Sequence, residues 1–409
     1  MKIAVFTSFF PPAFLGGGPI RTLAAMVSGA PPSADTAVMT GNMDLGCTEP
    51  MDVPCEQWVE HEGSKVYYCN ARSWRSLFRG MCEVRSWKPD VVYVNSFFDA
   101  KYSILPQFHF WVGFFVPRAF VIAPRGEFSS GALSIKGAKK RAYLFVFRLL
   151  GFPKRVLWHA STSNEEHDIH AVFGADAPVL VREDDTLLPA AAAPPEARRD
   201  PGVLRAVTLS RISPMKGILT LMEGLQRVTE PLQLDVIGPA EDAAYSEQCR
   251  AAAAAAPAHV RINFLGARDP AQVRAILAGY DVLFTPTQGE NFGHVIAEAL
   301  SVSCPVLCAD VTPWTGVLAS GGGQIVPENT AAGWARAVEC YAHLTPAERF
   351  ERRLAAGRAY GQWKSDSAQP HFFTLLQERL GQLADGPRER ALTGKNPGPT
   401  TRRRVMRPR

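Results

Sequence analysis

None of the eight cysteines (47, 55, 69, 82, 249, 304, 308 and 340) stands in a C-x-x-C pair. That spacing excludes the common structural zinc sites. In a chain of 409 residues, the same scarcity excludes the framework of a small disulfide-stapled domain. Reduced, mostly buried thiols in a cytoplasmic protein are expected. Long apolar runs are also lacking. Residues 102–117 carry no Asp, Glu, Lys or Arg, but Pro106 and Pro117 bracket a span shorter than the roughly 20 residues that cross a bilayer. No transmembrane helix is expected. The opening MKIAVFTSFFPP is too short, and its apolar run too early, for a signal peptide. A G-x-G-x-x-G run is missing too. The first glycine loop reads GGG followed by Pro19-Ile20-Arg21, with no suitably spaced acidic residue at a strand end, which argues against a dinucleotide-dependent dehydrogenase. Charged residues are only 20 % of the chain, and their positive excess is local. Residues 386–409 hold eight Lys or Arg against one Glu, so the formal +5 belongs to that tail and the body is slightly acidic. No specific nucleic-acid partner is expected of the body, and the tail reads as disordered and solvated.

What is present is an α/β rhythm. Residues 2–8 form a short apolar run, followed by Leu15-Gly16-Gly17-Gly18-Pro19 and a helical pattern through Ser28. Strand, glycine loop and helix are the opening unit of a doubly wound sheet. Further buried strands are predicted at 90–94 and 119–124, with helices at about 73–87 and 133–150. Ser161–Glu166 has the pattern of a helix start with a capping box. The stretch 183–203 holds four prolines and few core formers and reads as a linker. Beyond it the pattern restarts, with strands at 204–209, 232–237, 260–264, 281–285 and 304–308 and helices between them. Residues 345–384 read as helical. Two Rossmann-like domains, 1–182 and 204–364, are therefore expected to face a central cleft. A helix at 365–385 returns toward the first domain. Ligands of such sheets bind beyond the carboxyl ends of the strands, which here points to the cleft.

Two clusters fall at such ends. Arg211 and Lys216, in SRISPMKG after the strand 204–209, are spaced to clamp a diphosphate or to be plain surface charges. Glu290 and Glu298 lie in GENFGHVIAEA after the strand 281–285. A carboxylate there accepts sugar hydroxyls well, and Gly293 lets backbone approach a ligand. The bland reading of Glu298 is a charge on an exposed helix face.

The ordered set LGGGPIRT, LSRISPMKG, FLGARD, ENFGHVIAE and PVLCADVTPW resembles the family 4 retaining glycosyltransferases of the GT-B fold, over nearly all of residues 1–380. APRGEFSSGALSIKGAKKRAYL is similar to a bacterial branch linked to surface polysaccharides. The resemblance implies a nucleotide-diphosphate-sugar donor held mainly by the C-terminal domain, and a glycan or lipid-linked acceptor held mainly by the N-terminal one. It implies that Arg211 and Lys216 contact the diphosphate, with Lys216 stabilising the departing nucleotide. It places Glu290 on the donor sugar and Glu298 on the ribose. Asn291, Phe292, Gly293, His294 and Val295 then touch sugar and phosphate, Gly17 and Gly18 close over the donor, and Ala267 and Arg268 lie near the base. No metal or other cofactor is implied, because the cations do a metal's work and no Asp-x-Asp pair occurs. Many members carry a His at the end of the fourth strand, where this chain has Asn95 and Ser96, which do not titrate near neutrality. With Arg125 and Glu127 these make up the expected acceptor side, although Arg125 and Glu127 suit a structural ion pair equally well.

His159, His294, Cys304 and Cys308 read as packing residues, and Trp314 as a wall of the donor pocket. The aromatic stretch with Phe108, Phe110, Trp111, Phe114 and Phe115 lies near Arg118, Lys136, Lys139, Lys140 and Arg141. That composition suits a peripheral contact with the inner face of the cell membrane. A buried helix beside a solvated basic one is the preferred reading. Competing functions are transfer to a small natural-product acceptor, a nucleotide-sugar epimerase or hydrolase on the same scaffold, and a binding module without turnover.

Overall fold

The computed structural model describes residues 1–385 except 62, 130–131, 134–136 and 197–202, and of 383–385 the backbone alone. The expected tail 386–409 and Lys136 lie outside the described residues.

The first half carries eight strands: β1 (Lys2–Phe6), β2 (Asp35–Gly41), β3 (Trp58–His61), β4 (Ser64–Cys69), β5 (Val91–Val94), β6 (Ala119–Ile122), β7 (Leu157–Ala160) and β8 (Val179–Val181). They form one sheet in the order β3-β4-β2-β1-β5-β6-β7-β8. The pairs are parallel except β3 with β4. Strand β5, Val-Val-Tyr-Val, is buried throughout because the sheet is covered on both faces. Ala4, Phe6, Val92 and Val94 enter one apolar cluster, while Ile3, Val5, Val91 and Tyr93 enter another on the opposite face. The second half carries β9 (Leu204–Leu209), β10 (Leu232–Ile237), β11 (Val260–Gly266), β12 (Val282–Thr285), β13 (Val306–Ala309) and β14 (Gly323–Val326). They order as β11-β10-β9-β12-β13-β14, all parallel. Cys304 and Cys308 are buried in one of its apolar clusters.

Helix α1 (Gly18–Ser28) follows the glycine loop, and α2 (Trp74–Trp87) starts on a Ser73 side-chain cap. They are followed by α3 (Leu105–Trp111), α4 (Gly137–Leu149) and α5 (Ser163–Phe173). The second half adds α6 (Ile218–Leu225), α7 (Ala243–Ala254), α8 (Val273–Ala278), α9 (His294–Leu300) and α10 (Ala331–Ala342).

The tract 345–384 is helical in two pieces. It breaks into α11 (Pro346–Asp366) and α12 (Phe372–Asp385), because Pro370 cannot continue a helix. Residues 365 and 366 therefore end α11 and do not begin the returning helix. Helix α11 packs Ala356 and Tyr360 on the second sheet, and α12 buries Phe372, Phe373 and Leu376 against the first. The stretch 183–196, read as a linker, is held along its length. Tyr360 donates to the Pro189 carbonyl at 2.6 Å, Ala193 N–H to Ser301 at 2.9 Å, and Ser303 to Ala193 at 2.6 Å, so this stretch is pinned to the second half. The capping box at 161–166 forms only in part. Thr162 accepts from the Glu165 N–H at 3.1 Å, but the Glu165 carboxylate reaches Ser161 and Gly126 and not the Thr162 N–H.

Candidate active site

Loops at the carboxyl ends of both sheets enclose a cavity of about 660 Å³ between the halves. Its floor is set by the turn after β9. Arg211 leaves the strand end, and a short 3-10 turn, Pro214–Lys216, aims Lys216 inward. Gly217 closes that turn at φ 65°, where a Cβ would stand 2.0 Å from the Pro286 carbonyl oxygen, so no other residue fits. Met215 O accepts from Gln288 N–H at 2.8 Å and Thr287 Oγ1 at 3.2 Å, which locks this turn to the loop after β12. That loop brings Glu290 to Lys216, with Oε1 2.5 Å from Nζ. Both side chains are largely shielded, and both line the cavity. Arg211 pairs with Glu241 at 2.5 Å, more exposed than the Lys216 pair.

Phe292 is buried, and its carbonyl accepts from Trp314 Nε1. Gly293 turns at φ 88° into α9. The His294 ring lies against Gly18, where a Cβ would come within 2.9 Å of its Cδ2, so a larger residue there would push the ring aside. His294 Nε2 is 2.7 Å from Thr22 Oγ1, and the Thr22 hydroxyl donates to Asp184 at 3.0 Å. A hydroxyl has one proton, so His294 must donate from Nε2 and its Nδ1 is bare. Burial, reinforced by Arg21 and Arg125, lowers the His294 pKa to about 3, so the ring stays neutral. One turn further along, Glu298 bonds Arg21 of α1 through Oε1, while its buried Oε2 has no partner among the described residues. Burial raises the Glu298 pKa, and Arg21 opposes that rise.

On the N-terminal side, Arg125 stands at φ 53°, a strained position for a non-glycine residue. Its guanidinium is fully engaged by Asn95, Tyr93 and Asp184. Burial raises the Asp184 pKa, against the pull of Arg125 and Thr22. Glu165 accepts from the Gly126 N–H at 2.6 Å and fixes this loop. Asn291 reaches across the cleft to Ser161 at 2.7 Å.

The cavity therefore gathers Gly17, Gly18, Arg125, Arg211, Lys216, Ala267, Arg268, the run Glu290–Val295 and Glu298. Asn95, Ser96 and Glu127 stand behind its wall. Asn95 accepts from Arg125. Ser96 donates to Glu127 at 2.7 Å, and Glu127 also accepts from the Phe97 and Phe98 N–H groups. Glu127 thus holds a loop and makes no ion pair among the described residues, while a buried ion pair of this region joins Arg125 to Asp184. Glu298 is buried, which removes the exposed-face reading. His159, buried between Tyr93 and the stacked Phe372 ring, is a packing residue. Sequence reasoning missed Arg21, Thr22, Glu165 and Asp184. Arg21 and Thr22 sat inside a quoted motif. Asp184 lay in a proline-rich stretch and carried no local signal.

Among the described residues, Glu230, Glu339 and His343 place ligand atoms within 4.8 Å of one another, outside the cavity. Glu339 already accepts from Thr229 there. Among the described residues, no helix is long and apolar enough to cross a membrane.

Two parallel sheets wound with helices and facing a charged cleft define the GT-B class of α/β protein. Residues 194–354, most of the six-stranded half, match the family of glycosyl transferases group 1. The chain is 34 % identical over 149 residues to the phosphatidyl-myo-inositol mannosyltransferase of Mycobacterium leprae, covering 35 % of this chain and 38 % of that protein. It thus matches well under half the length of that relative. In fold it is similar to Anabaena Alr3699/HepE in complex with UDP-glucose, with a TM-score of 0.68, 16 % identity, and 94 % and 99 % of the two chains covered. It is also similar to WaaG, a glycosyltransferase involved in lipopolysaccharide biosynthesis, with a TM-score of 0.62, 14 % identity, and 94 % and 100 % covered.

Proposed function

We propose that this protein is a retaining, metal-independent glycosyltransferase that moves a sugar from a nucleotide-diphosphate donor to a hydroxyl of a glycan or lipid-linked acceptor. The observation that carries the reading is the cleft pairing of Lys216 with Glu290, beside Arg211 and Glu298, within a segment that matches the glycosyl transferases group 1. Paired cation and carboxylate at a strand end suit a ligand that is anionic at one end and hydroxylated at the other. Lys216 and Arg211 then neutralise the leaving diphosphate, as preorganised charges in a shielded cavity do best. Glu290 holds hydroxyls of the transferred sugar, and Glu298 holds the ribose. The donor lies on residues 204–364, and the acceptor on residues 1–182. In this reading no side chain acts as a histidine base at the reacting carbon, since His294 is neutral with Nε2 already donating to Thr22. The leaving phosphate takes the acceptor proton.

Two observations support a lipid-linked acceptor for surface polysaccharide assembly. The M. leprae relative is a phosphatidyl-myo-inositol mannosyltransferase, and WaaG is a glycosyltransferase involved in lipopolysaccharide biosynthesis. In addition, Phe108, Trp111, Val112 and Val116 are exposed, near Phe78 and its neighbour Phe114. This face suits contact with the inner face of the cell membrane.

The test is thermal unfolding with UDP, GDP, ADP and dTDP in parallel, followed by transfer assays with the sugar nucleotide of the base that binds. Ligand at about 100 times its dissociation constant adds about 2.7 kcal/mol to the state that binds it. One nucleotide is expected to raise the melting temperature, and its sugar nucleotide is expected to label a vesicle-borne acceptor with retention. No shift with any of the four removes the donor site. Transfer to water-soluble acceptors alone removes the lipid-linked part.

A further inference from the structure

Four of the five Arg and Lys side chains that line the cavity are already paired within the protein, while Arg268 makes no ion pair among the described residues. Lys216 pairs with Glu290, Arg211 with Glu241, Arg125 with Asp184 and Arg21 with Glu298. At these four cations a diphosphate gains little unless carboxylate is exchanged for phosphate. Arg125 is in no position to exchange. Its side chain is 5 % exposed, and Asn95, Tyr93 and Asp184 bind all three guanidinium nitrogens.

Arg21 differs in each respect. It stands in the first turn of α1, just past the glycine loop, and its side chain is 30 % exposed. Among the described residues Glu298 is the partner of its guanidinium, which leaves donors free toward the cavity it lines. Glu298 is held on one oxygen only, and the other is buried without a partner. A buried carboxylate left half satisfied is under-used in this arrangement. Breaking such a pair leaves a buried charge uncompensated, so Arg21 can change partner only when other donors take over Glu298. Moreover, Arg21 and Glu298 belong to opposite halves, so the pair spans the cleft that a donor would fill.

We propose that Arg21 is a movable cation of the diphosphate site. It occupies Glu298 in the ligand-free protein and passes to the diphosphate when the ribose takes that carboxylate. The inference rests on the donor reading given under Proposed function and adds a residue from the N-terminal half to it. It makes an unusual prediction, because removing Arg21 frees Glu298 while deleting a phosphate ligand. The two effects have opposite signs for ligands with and without phosphate.

The experiment is calorimetric titration of wild-type protein and Arg21→Gln with UDP, GDP, ADP and dTDP, each beside its own nucleoside. Arg21→Gln is expected to weaken the preferred nucleoside diphosphate about ten- to a hundredfold, the value of one charge-assisted contact. The matching nucleoside is expected to bind unchanged or more tightly. Arg21→Lys, which keeps the charge, should fall between wild type and Arg21→Gln for the diphosphate. Equal losses for nucleoside and diphosphate would show that Arg21 only holds the halves together, and would overturn the inference. So would an unchanged diphosphate affinity. A misfolded variant loses both ligands and cannot mimic the expected divergence. Wild-type protein that binds none of the four diphosphates overturns the donor reading itself, and the role of Arg21 with it.

Discussion

Glu290 and His294 are four residues apart in one loop and helix start, yet their surroundings give them opposite characters. Glu290 meets a cation at the edge of the cavity and is positioned to accept hydroxyls. If Glu290 holds the transferred sugar as proposed, Glu290→Ala is expected to lower turnover at least about a hundredfold at saturating donor. A steady-state rate within a few-fold of wild type would remove it from the mechanism. His294 is different, because burial keeps it neutral with a pKa of about 3. The unfolded chain binds a proton below about pH 6.5 that the native ring refuses, so stability falls as pH falls from that point. Between pH 7 and pH 5 this one group costs about 2 kcal/mol of stability, and buried His159, also lowered, acts in the same direction. Urea unfolding at the two pH values should show the loss, and His294→Gln, which keeps a donor toward Thr22, should reduce it by about that amount. An identical pH dependence in the variant would mean that His294 titrates normally.

At the scale of elements, the site depends on turns more than on helices. The turn Pro214–Gly217 carries Lys216, and the loop after β12 carries Glu290. The two are tied where Gly217 passes the Pro286 carbonyl. Gly217→Ala would put a methyl group where that oxygen stands and ask an alanine to hold φ 65°. We expect a loss of roughly 1–3 kcal/mol, or a melting temperature lower by several degrees. Donor affinity should fall as well, because the turn cannot move without Lys216. Calorimetry with the preferred nucleotide measures the second effect, and normal stability with normal affinity would contradict the account. The glycine at position 18 does the corresponding work between the halves by admitting the His294 ring.

At the scale of the whole molecule, the chain crosses between halves more than once. It passes forward along 183–196 and returns through α12, whose Phe372, Phe373 and Leu376 complete the core of the first sheet. The last described helix therefore belongs to the first half, although it follows the second in sequence. Phe372→Ala should cost about 3–5 kcal/mol, as is usual for a buried aromatic. Because Phe372 lies on the ring of His159 and the edge of Tyr93, the loss should appear in the first half. Hydrogen exchange is expected to speed up in β5 and β7 ahead of β9 to β13. Uniform acceleration through both sheets would instead mean that the molecule unfolds as one unit.

The sequence by itself determined the alternation of strands and helices, and it determined the loops that carry the chemistry. Buried parallel strands are short apolar runs, and glycine turns at their ends are local features that a chain displays without its fold. It read poorly at β2 to β4, where an edge hairpin mixes polar and apolar residues, and at Ser367–His371, where Pro370 ends a helix inside a continuous helical pattern. Only the tertiary structure decided what the charges do. Arg21 and Glu298 are 277 positions apart, and Arg125 and Asp184 are 59 apart; nothing in the composition of either neighbourhood joins them. Asp184 looks like part of a linker until packing takes it out of water, and burial then makes its partners matter. Electrostatics acts through space at a few ångströms and depends on desolvation, and neither quantity exists until the chain has folded.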